Sequence, residues 1–195
     1  MNRIITALLP GLIIALSACA LAPPKQIPPV NGQVLDKTTH QPIEGAIVVV
    51  RWKGTGTKAF VDQHTECYHV ETATTDADGQ FSTQSWLEES QYRDLGLKER
   101  METIYKAGYR YVRVEGDVHY LERDTGSVEE RLEYLLSITT HACFSEDYKE
   151  LIPYNEALYA EAASIAVTED QLKTAKRVRY YLNVVKYGWD EADRR

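Results

Sequence analysis

The sequence predicts an α+β fold, an N-terminal antiparallel β-sandwich over residues 30–124 followed by a C-terminal α-helical segment over residues 125–195. Two observations predict it. Between Val30 and Glu122 the apolar and β-branched residues fall in short alternating runs separated by turn residues, the pattern of half-buried strands. After Ser127 the apolar spacing lengthens to three and four, and Ser127 with Glu130 and Thr168 with Gln171 form capping-box pairs. Residues 1–18 read as a signal peptide, and residues 19–29, with prolines at 23, 24, 28 and 29, as a stiff tether without a burial pattern.

Within the strand region, Val30 to Asp36 opens an extended segment, and Pro42 to Ala46 turns the chain into the β-branched run Ile47-Val48-Val49-Val50. Lys53 to Lys58 carries two glycines without the full spacing of a phosphate loop or a following helix, and reads as a surface loop. Tyr68 to Thr72 alternates like a strand. Asp76 to Gly79 follows as a tight turn, because Asp tolerates left-handed backbone and Gly adopts it without steric cost. A calcium reading of Asp76 and Asp78 fails on spacing, since Gly79 falls at the fourth loop position and Leu87 stands where a bidentate Glu is needed. Leu87 to Arg100 reads as an irregular or briefly helical insertion. Strands resume at Glu102 to Tyr105, Tyr109 to Glu115 and Val118 to Glu122, with Tyr109, Tyr111 and Arg113 on the face opposite Val112 and Val114.

The order Gly-x-Val-x-Asp at 32–36, Pro-Ile-x-Gly-Ala-x-Val at 42–48 and Thr-Asp-x-x-Gly-x-Phe at 75–81, with Ala107-Gly108-Tyr109 later, resembles the carboxypeptidase regulatory-like domain, a transthyretin-like β-sandwich. The resemblance implies a scaffold that is typically an accessory module without catalytic residues. Transthyretin-like folds also include a hydrolase of purine catabolism, but its Tyr-Arg-Gly-Ser ending is absent here, where the chain stops at Asp193-Arg194-Arg195.

Three helices are expected: one with Val128, Leu132, Leu135 and Leu136 inward; one near Pro153 with Leu151, Leu158, Ala162 and Ile165; and one with Leu172, Ala175, Val178, Leu182, Val185 and Trp189. Their short connections imply antiparallel packing beside the strands. Lys173, Lys176, Arg177 and Arg179 form a basic run that suits either a solvated face or anionic headgroups, with Glu169 and Asp170 one turn earlier.

Arg3 precedes an apolar run from Ile4 to Leu16, too short for a membrane span but fitted to secretion. It ends in Leu16-Ser17-Ala18-Cys19, which resembles a bacterial lipobox. That implies lipidation of Cys19 and an anchor in the bacterial cell envelope; the alternative is an ordinary cleaved signal. Ala20, where an Asp would favour the inner membrane, points to the outer membrane, facing the periplasm. Loss of Arg3 makes the chain one unit more negative than its −7, a poor balance for a nucleic-acid partner.

With Cys19 lipidated, Cys67 and Cys143 remain as an even pair in an oxidising space, and a disulfide is expected. Its loop of about 75 residues would stabilise by roughly 4 kcal/mol in the chain-entropy account. His64, Cys67, His69, His141 and Cys143 leave zinc as an alternative, though their spacing matches no closed site, and free thiols as another. An enzyme would have to draw on this same cluster, with Glu66 or Glu71. The 13 tyrosines and 3 tryptophans suggest a glycan or small-molecule module if Trp52, Trp86, Tyr109 and Tyr111 share one exposed concavity. The expectation is a non-catalytic, lipid-anchored protein with a binding or assembly role. Tyr109, Tyr111 and Arg113 form its candidate surface, a membrane and an envelope protein or glycan are its partners, and it has no cofactor or metal.

Overall fold

The computed structural model describes residues 24–58, 62–92, 95–139, 146–192 and 194; the signal segment, Cys19, His141 and Cys143 lie outside them. The chain runs β1 (Lys25–Ile27), β2 (Asn31–Asp36), β3 (Ile47–Lys58), β4 (Asp62–Thr74), β5 (Gln80–Ser82), β6 (Trp86–Glu88), β7 (Lys98–Tyr105), β8 (Tyr109–Glu115) and β9 (Val118–Arg123). It continues as α1 (Val128–Ser137), α2 (Ile152–Ile165), α3 (Glu169–Tyr187) and α4 (Trp189–Ala192), with 3-10 turns at Ser90–Tyr92 and Glu146–Leu151. The architecture is thus strands followed by a helical segment.

Two open sheets form the β part, in strand orders β5-β2-β9-β8 and β4-β3-β7, with β1 and β6 as a separate ribbon. The first sheet is mixed and not wholly antiparallel, because β2 and β9 pair in parallel, Val34 beside His119 and Leu35 beside Tyr120. A parallel pair needs a long crossover, and here the intervening chain builds the whole second sheet together with β5, β6 and β8. The tether reading stops short of the fold: Lys25–Ile27 pairs with Trp86–Glu88, and Ile27 packs against the β core.

The turns follow from their residues. Thr75 Oγ1 donates to the Ile43 carbonyl at 2.7 Å and accepts from the Ala46 amide at 2.8 Å, tying the entry of β3 to the end of β4. Asp76 Oδ1 accepts from the amides of Asp78 at 3.0 Å and Gln80 at 2.8 Å. Gly79 has φ +69°, and a Cβ there would lie 2.5 Å from the Val34 carbonyl oxygen. Both its conformation and its clearance require glycine.

β3 is buried on both sides, which explains its unbroken β-branched run. Val48, Val50 and Trp52 join Val34, Phe81, Ile104 and Leu121 in a cluster drawn from both sheets. Val49 faces the other way, with Val70 and Tyr105, into a cluster completed by Leu132, Leu135, Leu151, Tyr154, Leu158 and Val178. The helices therefore cover the outer face of the β4-β3-β7 sheet, their side-by-side packing as expected.

Lys53 to Lys58 is not a loop but the second half of β3, paired with β4 out to Lys58 beside Asp62. The segment read as irregular, 87–100, holds β6, a 3-10 turn and the start of β7. Both capping boxes form, at Ser127 with Glu130 and Thr168 with Gln171. Leu172 and Trp189 depart from the predicted stripe, at 44% and 40% exposure. Gly188, at φ +81°, ends α3 and starts a new turn, so Trp189 falls outside the period.

Candidate functional site

The histidine and cysteine cluster is divided by a β-bulge. Trp52 pairs with His69 but Lys53 pairs with Cys67, leaving Tyr68 as an extra residue. The extra residue reverses the alternation. Cys67 consequently joins Val70 on the side covered by the helices, 5% exposed, while His69 lies with its ring 3.8 Å from that of Trp86 on the other side. His69 Nε2 lies 3.0 Å from Glu71 Oε1. Among the described residues no group of three or more His, Cys, Asp and Glu is placed to hold a metal ion. Cys67 Sγ lies 3.8 Å from the His69 carbonyl oxygen, and the other two cysteines lie outside the described residues.

The aromatic residues proposed for a sugar platform are used in packing. Trp52 is 7% exposed. Its ring stands 5.4 Å from that of Trp86, and Tyr68 stacks on Tyr92 at 5.3 Å. Lys98 reaches across this group, 5.6 Å from the Tyr68 ring centre and 2.8 Å from the buried carboxylate of Glu88. Burial, reinforced by Glu88, raises the Tyr68 pKa. The cluster fastens the β1-β6 ribbon to the sheet.

A second bulge parts the three residues of the candidate surface. Tyr111 pairs with Leu121 and Arg113 with Tyr120, so Val112 is the unmatched residue. Tyr109 and Tyr111 pack against the β core, half-buried, and Arg123 covers the Tyr109 ring at 4.4 Å. Arg113 points to the opposite face, 4.6 Å over the Tyr120 ring and 2.7 Å from Glu115. Of the basic run, Lys173 pairs with Glu169 and Asp170, whereas Lys176, Arg177 and Arg179 are exposed.

A cleft of about 590 Å³ opens where the β7–β8 turn meets the helices. Gly45 and Ile47 form one wall, Tyr105 to Gly108 the next, and Arg131 of α1 with Ala157, Ala160, Glu161 and Ser164 of α2 the rest. At its base Glu161 is 9% exposed in its side chain and takes three donors. Arg131 Nη2 donates at 2.6 Å and the Gly108 amide at 3.2 Å, both to Oε1, and the Tyr105 hydroxyl donates to Oε2 at 2.8 Å. Burial first, then the adjacent Glu161 carboxylate, pushes the Tyr105 pKa up, keeping the hydroxyl protonated. At the rim Lys106 Nζ donates to the Glu44 carbonyl at 2.6 Å.

Sequence reading found the Ala107-Gly108 hairpin and the helix faces but not this cleft, whose walls come from four separated segments. With the site in view, comparison with known proteins adds nothing to it: no family model, no curated protein and no solved structure matches this chain.

Proposed function

We propose that this chain is a lipid-anchored, non-catalytic protein of the bacterial envelope, binding another envelope component or supporting its assembly through a carboxypeptidase regulatory-like, transthyretin-like β-sandwich. The observation that carries the anchor is the tetrad Leu16-Ser17-Ala18-Cys19 directly after the apolar run. Acyl chains on Cys19 would hold the protein at a bilayer, since each buried methylene contributes about 0.8 kcal/mol. Among the described residues no helix is long and apolar enough to cross a membrane. The sandwich reading is supported by the two sheets sharing one apolar cluster and by the Asp76–Gly79 turn.

A Cys67–Cys143 disulfide belongs to the same proposal. It is supported by the placement of Cys67 in one cluster with Leu136 and Leu151, which flank Cys143 in sequence. Leu136 and Leu151 also bring the two ends of that segment to the sheet.

Intact mass of the processed protein from envelope fractions, with and without alkylation, tests both parts. A diacyl or triacyl increment on Cys19 and two alkylation sites appearing only after reduction are the expected results. A mature chain lacking acyl mass, recovered in the soluble fraction, would overturn the anchor. Cysteines alkylated without reduction would overturn the disulfide.

A further inference from the structure

We propose that the cleft between the β7–β8 turn and α2 binds a small organic carboxylate, either a free acid or the end of a peptide. The assignment goes beyond the envelope reading and does not depend on the lipid anchor.

The hydrogen-bond inventory of the walls carries it. The one carboxylate in the cleft, Glu161, is already met by three donors, so it has little left to offer a ligand. The donors are in surplus. Arg131, its side chain 24% exposed, has five N–H groups; one, on Nη2, goes to Glu161 and the Nε is too buried to meet a ligand, so the surplus lies on the remaining Nη hydrogens. Lys106 has three N–H groups, and one goes to the Glu44 carbonyl. A cleft that satisfies its own acceptors and leaves cationic donors over recognises an acceptor, and a carboxylate matches the planar guanidinium fork.

The shape limits what carries that carboxylate. Ile47, Ala157 and Ala160 give small apolar walls. Gly45 and Gly108 have φ of +68° and +74°, and a Cβ on Gly108 would meet nothing within 4 Å. The turn therefore leaves open space at Gly108 where a side chain would stand, whereas a Cβ on Gly45 would come 3.2 Å from Lys106 Nζ.

The experiment uses the full chain in detergent micelles at low salt, with amide and Arg Nε–Hε resonances followed in proton–nitrogen spectra. Acetate, N-acetyl-alanyl-alanine, its C-terminal amide and inorganic phosphate are titrated to about 20 mM, well past a Kd of about 1 mM. The expected result is saturable shifts of Gly45, Gly108 and the Arg131 side chain with the acids and none with the amide. Tighter binding of the dipeptide acid than of acetate assigns a peptide end; equal binding assigns a free small acid. Lys106→Gln, at a half-buried position, is expected to weaken binding about tenfold, as is Arg131→Lys, which keeps a cation beside Glu161. No saturable shift with either acid, equal shifts with the amide, phosphate binding as tightly as the acids, or unchanged affinity in both variants would each overturn the assignment.

Discussion

Glu161 joins the strands to the helices through single atoms. Its carboxylate holds Arg131 of α1, the Gly108 amide of the β7–β8 turn and the Tyr105 hydroxyl of β7 at once. Glu161→Gln keeps the shape but leaves Arg131 without its counter-charge in a half-buried site. It is expected to cost about 3 kcal/mol, a fall in Tm of roughly 6 to 12 °C, measured by urea and thermal unfolding. A second carboxylate, Glu102, sets a pH dependence. Its pKa is lowered, chiefly by the hydrogen bond with His119, whose Nε2 lies 3.0 Å away, with Arg100 adding to it. The pKa of Asp36 is lowered too, by the backbone amides of Thr39 and Thr38. A folded pKa below the unfolded one gives stability that is present above the ordinary carboxylate value, about 4.3 for Glu, and lost as pH falls through the folded value. Urea midpoints should therefore drop on acidification below about pH 4.3, and Glu102→Gln should flatten that drop. A Glu102→Gln profile that keeps the wild-type acid slope would refute the assignment.

Elements differ in how openly the sequence declares them, and the difference follows from what sets each one. The helices were readable because their signals are local: Ser127, Glu130, Thr168 and Gln171 cap through neighbours three residues away. Thr168→Ala should cost about 1 kcal/mol in unfolding experiments. Turn chemistry was equally local at Asp76 and Gly79. Gly79→Ala should cost at least about 2 kcal/mol, because left-handed backbone and the approach to the Val34 carbonyl act together. The two bulges were not readable. A bulge at Tyr68 or Val112 depends on how a partner strand registers, and each inverts the alternation from which faces are inferred. That one extra residue sent Cys67 and His69 to opposite sides of a sheet, and Tyr111 and Arg113 likewise. The far half of β3 escapes the sequence for a related reason: its glycine-rich end, Lys53 to Lys58, is held as strand by pairing with β4, against its own low propensity. The cleft was hidden because residues near 45, 106, 131 and 161 meet only through tertiary packing.

At the scale of the molecule, the strand region and the helical segment share a core, and this makes them one folding unit in place of two. Val49, Val70 and Tyr105 of the β4-β3-β7 sheet lie in one cluster with Leu132, Leu135, Leu158 and Val178 of the helices. That sheet would present these apolar side chains to water if the helices left it. The helices in turn would lose the surface against which their stripes are buried. Mutual coverage of this kind predicts a single cooperative transition. Two probes report the two parts separately. Trp52 and Trp86 sit within the β region, so their fluorescence follows the sheets, and ellipticity at the helical band follows α1 to α3. A Trp189→Phe background removes the one tryptophan of the helical segment, which is 40% exposed. In that background the two urea curves are expected to superimpose. An ellipticity transition at lower urea than the fluorescence transition would mean that the helices detach from a sheet able to stand alone. The same logic extends to deletion of residues 125–195: the remaining strand region should aggregate or bind hydrophobic dye, since the face of Val49 and Val70 loses its cover.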